Sequence, residues 1–171
     1  SAARTRQKHA ARIFNQAFSN DTYFYSHSEN VALCSNSHTT TRSGVSTATG
    51  FDNLGTAAFS ATALAAAITS FRQLADLQGE PIDEVPNELW IPVNLNLQAR
   101  EIIETKVGLD EASETKNVLE GSFTIHDWVR ITDTNDWFVA NEKLRKKYIK
   151  WIDRIPMETS KMESFDQFVA K

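Results

Sequence analysis

The sequence predicts an α+β fold, and three stretches predict it. Residues 86–106, PNELWIPVNLNLQAREIIETK, run from a proline through an apolar, strand-like segment at 89–93 into an amphipathic helix. Residues 61–77 carry apolar side chains at helical spacing. Residues 123–131 alternate: Phe123, Ile125, Val129 and Ile131 fall on one side, and Thr124, His126, Trp128 and Arg130 on the other; Asp127 breaks the apolar side, so an end of the strand is expected to be exposed. That pattern is a strand with one buried face. At 171 residues and 41% hydrophobic, the chain suffices for one ordinary domain or two small lobes with a real core. A net charge of -4 argues against a protein whose main business is nucleic acid. The single cysteine, Cys34, excludes an internal disulfide framework and fits a reducing compartment. No apolar run reaches membrane-spanning length and no signal peptide is visible.

Taken in order, residues 1–18 read as the end of an amphipathic helix. Ala3, Ala10, Ile13, Phe14, Ala17 and Phe18 form its apolar stripe, and Arg4, Arg6, Lys8, His9 and Arg12 a basic remainder. The chain starts at Ser1 without a methionine and inside this helix, so it reads as a piece of a longer protein. Asn20 and Asp21 break the helix. Residues 20–52 are rich in Ser, Thr, Asn and His, with Tyr23, Phe24, Tyr25 and Leu33 as their few apolar anchors. These anchors bury too little to offset the ordering entropy of some thirty residues, so the loop is expected to be ordered by neighbouring subunits.

Ser60 is the expected N-cap of the helix at 61–77, whose buried face is Leu64, Ile68, Phe71 and Ala75 and which Gly79 ends. In the next unit Asn94 is the expected N-cap, and Leu95, Ala99, Ile102 and Ile103 the buried face. Residues 107–120 read as a loop and 132–136 as a turn. Residues 137–140 and 148–155 read as two further strands, the second bearing Ile149, Trp151 and Ile155 on one face and stopped by Pro156. Phe165 and Phe168 mark a last amphipathic segment.

Candidate chemistry is sparse. Cys34 and His38, four residues apart, could form a thiolate–imidazole pair, but no orienting third group or oxyanion site is marked. The four histidines and one cysteine show no zinc spacing. Asp133, Asn135 and Asp136 resemble the start of a calcium loop but lack its glycine and distal glutamate, so they read as a turn. His126 reads as a cross-strand neighbour. Glu101 with Glu104, and Asp110 with Glu111, read as surface carboxylates. Trp90, Trp128, Trp137 and Trp151 read as core or subunit contacts. No catalytic, cofactor-binding or metal-ligating residue is assigned, and no enzyme emerges.

Six motifs in order carry a family resemblance. They are the helix SAARTRQKHAARIFNQAF with Asn15, Ala17 and Phe18; VALCSNSH at 31–38; Asn53 followed by AAFSATALAAAI at 57–68; Gly79 and Pro86 with LWIPVNL at 89–95; Asn117-Val118-Leu119; and TDTNDWFV at 132–139. Together they resemble the Mu-type major head subunits of tailed phages, major capsid proteins with the Hong Kong 97-type shell fold. That resemblance implies a P domain with a spine helix and a long sheet, and an A domain of mixed helices and strands. Residues 1–18 would end the spine helix, 19–59 form an irregular connecting loop, 60–131 the A domain, and 132–171 the return toward the P domain. The chain departs from the family pattern at both ends, lacking most of the spine helix, the N-terminal arm and extended loop, and the arginine-rich closing strand.

The function implied is that of a shell subunit assembling as pentamers and hexamers with scaffold, portal and decoration proteins. It would enclose DNA without sequence-specific binding, outside any membrane, in a virion assembled in the bacterial cytoplasm. A mildly acidic lining would suit a DNA container, because it does not hold the packaged polyanion. The alternatives are a nucleic-acid-binding module using the basic helix at 1–18, and a cellular nanocompartment shell of the same fold, from which neighbouring portal and terminase genes would distinguish a phage head.

Overall fold

The structure is a computed structural model that describes residues 2–19, 31–39, 51–106 and 116–150. Within them it is a mixed α+β arrangement. Helices α1 (Ala2–Ala10) and α2 (Arg12–Asn15) follow one another with a jog at buried Ala11. The expected single helix over 1–18 is therefore two pieces, and residues 16–19 form a turn. Of the irregular loop, only residues 31–39 and 51–52 are described; its anchors Tyr23, Phe24 and Tyr25 lie outside. The Cys34 amide donates to the Ala17 carbonyl at 2.7 Å and ties this segment to the end of α2.

Helix α3 (Ala61–Arg72) begins where expected: the Ser60 hydroxyl accepts from the Ala63 amide at 3.1 Å. It ends five residues before the expected Leu77. The Asp76 carboxylate takes the amides of Gln78 (2.7 Å) and Glu80 (3.1 Å), offering the backbone a turn in place of another helical one. Gly79, at φ 83°, serves this turn and not the helix terminus.

Strand β1 (Glu88–Ile91) leads through Pro92 and the short 3-10 turn Val93–Leu95 into helix α4 (Asn96–Glu104). Asn94 does not cap this helix. Its Nδ2 donates to the Thr134 carbonyl at 2.7 Å, forty residues on. At the other end, Asn117 Nδ2 donates to the Ile102 (2.7 Å) and Thr105 (2.8 Å) carbonyls, closing α4 from outside the helix.

Strand β2 (Thr124–Asp127) pairs parallel to β1, and strand β3 (Phe138–Ala140) antiparallel, in the order β2-β1-β3. The expected strand over 123–131 is cut short because β1 leaves the sheet at Pro92. Beyond Trp128, whose amide bonds the Ile91 carbonyl, there is no neighbour to pair with. The chain turns there, and Val129, expected inside, is 77% exposed. The long sheet implied by the resemblance is absent from the described residues, which hold these three short strands.

Helix α5 (Glu142–Tyr148) replaces the start of the strand expected at 148–155. Asn141 caps it, its Oδ1 accepting from the Leu144 amide at 3.1 Å. Trp151, Ile155, Pro156, Phe165 and Phe168 lie outside the described residues.

The core sits on one face of the sheet. Leu89 and Ile91, flanked by Ile125 and Val139, pack against Leu64 of α3 and Ala99, Ile102 and Ile103 of α4, with Phe59, Leu119 and Phe123 closing the edges. Because a four-residue strand carries this packing, Leu89→Ala is expected to lower unfolding free energy by about 2–5 kcal/mol. Leu97→Ala, at a position 81% exposed, should stay within about 0.5 kcal/mol. Urea unfolding midpoints measure both.

Candidate functional site

Side chains alternate across a strand, so β1 sends Leu89 and Ile91 into the core and Glu88 and Trp90 to the opposite face. Register then sets the neighbours. Trp90 lies beside His126 of β2 and Phe138 of β3. Glu88 is 3% exposed, an uncommon place for a carboxylate. Arg145 of α5 grips it with both prongs, Nε to Oε2 at 2.6 Å and Nη2 to Oε1 at 2.7 Å. Trp90 Nε1 donates to Oε2 at 3.3 Å. His126 Nε2 lies 3.4 Å from Oε1 without hydrogen-bond geometry. The guanidinium hydrogen bonds hold the Glu88 carboxyl below the usual carboxylate range, against the opposing effect of burial; Trp90 and the nearby positive charges act in the same direction as Arg145.

Aromatic rings surround this pair. Phe14 of α2 stacks on Trp90 (centroids 5.1 Å apart) and meets Trp128 edge-on at 5.9 Å and Phe138 at 5.1 Å. Phe18 stacks on Phe138, His126 stacks on Trp90 at 4.3 Å, and the Arg145 guanidinium sits 5.3 Å from the Trp90 ring centre. A carboxylate ionised this firmly, with both oxygens engaged, does not take up a proton near neutral pH. Its chemistry is to hold α5 against the sheet.

The residues singled out in the sequence are dispersed. Burial, with a smaller effect of Asp136, pushes the Cys34 thiol up to about 11, opposite to the activation a nucleophile needs. His38 Nε2 is 3.2 Å from the Leu33 carbonyl oxygen. The Asp133 carboxylate accepts the Asn135 amide at 2.8 Å, which bends the chain within the turn expected at 132–136. Among the described residues no three His, Cys, Asp or Glu side chains are grouped to hold a metal ion. Glu101 is exposed and Glu104 pairs with Arg100 at 3.2 Å; Asp110 and Glu111 lie outside the described residues. Trp137 packs on Phe59 and donates from Nε1 to the Ala57 carbonyl at 3.0 Å. An open cleft of about 400 Å³ lies between α4 and β2, lined by Ile103, Phe123 and Ile125 and rimmed by Arg100, Glu104 and Glu120.

Sequence reasoning missed Glu88 and Arg145. The available signal was a carboxylate inside the apolar run ELWI, but its partner is 57 residues away. No known protein family, curated protein or solved structure matches the chain. No helix among the described residues is long and apolar enough to cross a membrane.

Two outcomes follow from these pairings. The Glu88 carboxyl has a lower pKa folded than its ordinary 4.5. Its charge therefore stabilises the fold fully above that ordinary value, and the stabilisation is lost as pH falls through the folded value. Glu88→Gln should cost on the order of 2 kcal/mol at pH 7 and progressively less at acid pH, read by urea unfolding across that range. Cys34 should react with a disulfide reagent at pH 8 much more slowly in the native protein than in urea. Equal rates would show that its thiol is neither buried nor raised in pKa.

Proposed function

We propose that the chain is a structural shell subunit of a tailed-phage head, of the Mu-type major head family with the Hong Kong 97-type fold. What carries the reading is the set of six ordered motifs, together with the work their polar and aromatic residues do. Asn15 donates to the Arg130 carbonyl (2.9 Å) and accepts from the Thr132 amide (3.0 Å). Asn53 donates to the Leu33 carbonyl (2.8 Å) and accepts from the Ser35 amide (2.7 Å). Asn117 closes α4, and Trp137 holds the strand of chain before α3. Each of these four residues fixes one segment of backbone against another, as an architectural protein requires.

On this reading α1 and α2 end the spine helix, and α3 and α4 belong to the A domain. Residues 132–171 return to the P domain. The copies form pentamers and hexamers in a virion, with scaffold, portal and decoration proteins as partners and DNA enclosed without sequence-specific contacts. Apolar side chains left in solvent, among them Leu97, Val118 (87% exposed) and Val129, suit surfaces that neighbouring copies cover.

Electron microscopy of the full-length protein with its assembly partners should show closed shells or capsomers. A species that stays monomeric at every concentration and salt, with no lattice, would overturn the reading. Leu97→Glu combined with Val129→Glu should reduce assembly while leaving the unfolding midpoint of the free subunit close to wild type.

A further inference from the structure

The net charge of -4 conceals a partition between layers. Residues 2–19 hold Arg4, Arg6, Lys8 and Arg12 and no carboxylate. Residues 141–150 hold five cations against Glu142 alone. In residues 51–106, which include both core helices, carboxylates outnumber cations eight to three. The fold brings the two basic stretches together. Phe14 of α2 and Arg145 of α5 both reach Trp90, on the face of the sheet opposite the core. Helices α3 and α4 cover the other face.

Internal pairing does not exhaust the positive charge. Glu88 engages Arg145, Glu84 pairs with Lys143 at 2.7 Å, and Glu142 pairs with Lys146. That leaves Lys147 and Lys150 exposed at the end of α5, and Arg4 and Lys8 exposed on α1. Arg4 and Lys8 are four residues apart on α1, so they share one side of that helix with a step of about 6 Å along its axis.

We propose that α1 and α5 together form one surface for the phosphate backbone of duplex nucleic acid. A row of cations fits a linear polyanion, and sequence-independent phosphate contact asks nothing further of the protein. The only apolar residues of α1 are alanines, whereas a helix lying on a membrane presents large apolar side chains beside its cations. Lysine is also depleted from the cores of protein–protein interfaces. The surface differs from a basic N-terminal helix acting alone, because half of it comes from α5, more than a hundred residues later. It stands independently of the shell reading, which would only say which side of the shell this layer faces.

Fluorescence anisotropy with a short mixed-sequence DNA duplex, titrated across salt, tests it on the full chain. Binding should be insensitive to sequence and should weaken steeply with salt. Arg4→Ala with Lys8→Ala should lower the magnitude of the log–log salt slope by about 2, Lys147→Ala with Lys150→Ala by about as much, and all four together by about the sum. Lys147→Arg with Lys150→Arg should keep the wild-type slope, which separates lost charge from a damaged fold. Absence of duplex binding at low salt would overturn the proposal, as would an α5 alanine pair that leaves the slope unchanged. Two other results would also overturn it. One is sedimentation with phosphatidylserine vesicles without duplex binding. The other is low-salt self-association that Glu101→Gln with Glu104→Gln abolishes, again without duplex binding.

Discussion

The two-residue period of β1 is the constraint on which the rest depends. The four residues of β1 must serve two unlike environments, and alternation assigns Leu89 and Ile91 to one and Glu88 and Trp90 to the other. Burial of Glu88 is tolerated because a forked guanidinium meets it. That guanidinium is carried by α5, whose cap Asn141 also donates to the Val85 carbonyl at 2.7 Å, while the Glu142 amide bonds the Asn87 side chain at 2.9 Å. Position and charge therefore support one another: the segment leading into β1 sets the start of α5, and α5 neutralises the carboxylate that β1 buries.

Around this centre, much of the joining of one segment to another is done by amide side chains. Asparagine presents a donor and an acceptor on one short stem, so it can replace both partners of a missing ladder. Asn15, Asn53 and Asn117 each do this for backbone that belongs to no strand. With three strands of three or four residues among the described residues, the sheet satisfies few backbone groups itself, and the loops around it need such partners.

What was legible in the sequence was local or periodic. The buried face of α4 at Ala99, Ile102 and Ile103 follows from helical spacing, and the Ser60 cap from a hydroxyl just before an apolar run. Distant partners escaped. Asn94 has the chemistry of a cap, but its bond is to Thr134. Helix α5 has no apolar periodicity to announce it; the interactions that hold it are the Asn141 cap and the Arg145–Glu88 pair, the latter across 57 residues. Val129 was misplaced because alternation was carried past the point where β1 turns away. The Glu88 cluster joins residues from β1, β2 and α5, and no spacing rule connects them.

The Asn15 clamp reaches 115 and 117 residues along the chain, and that separation has a kinetic meaning. At a synthesis rate of about 5–20 residues per second, roughly 6–23 s pass between the emergence of Asn15 and that of its partners. During that interval Phe14 and Phe18 have neither Trp128 nor Phe138 to stack against. Closing so long a loop costs chain entropy and must wait for partners made much later, so the segment around Asn15 is among the last of the described residues to be fixed. Its aromatic side chains are exposed during that interval, and a chaperone or a premature neighbour would find them unpartnered.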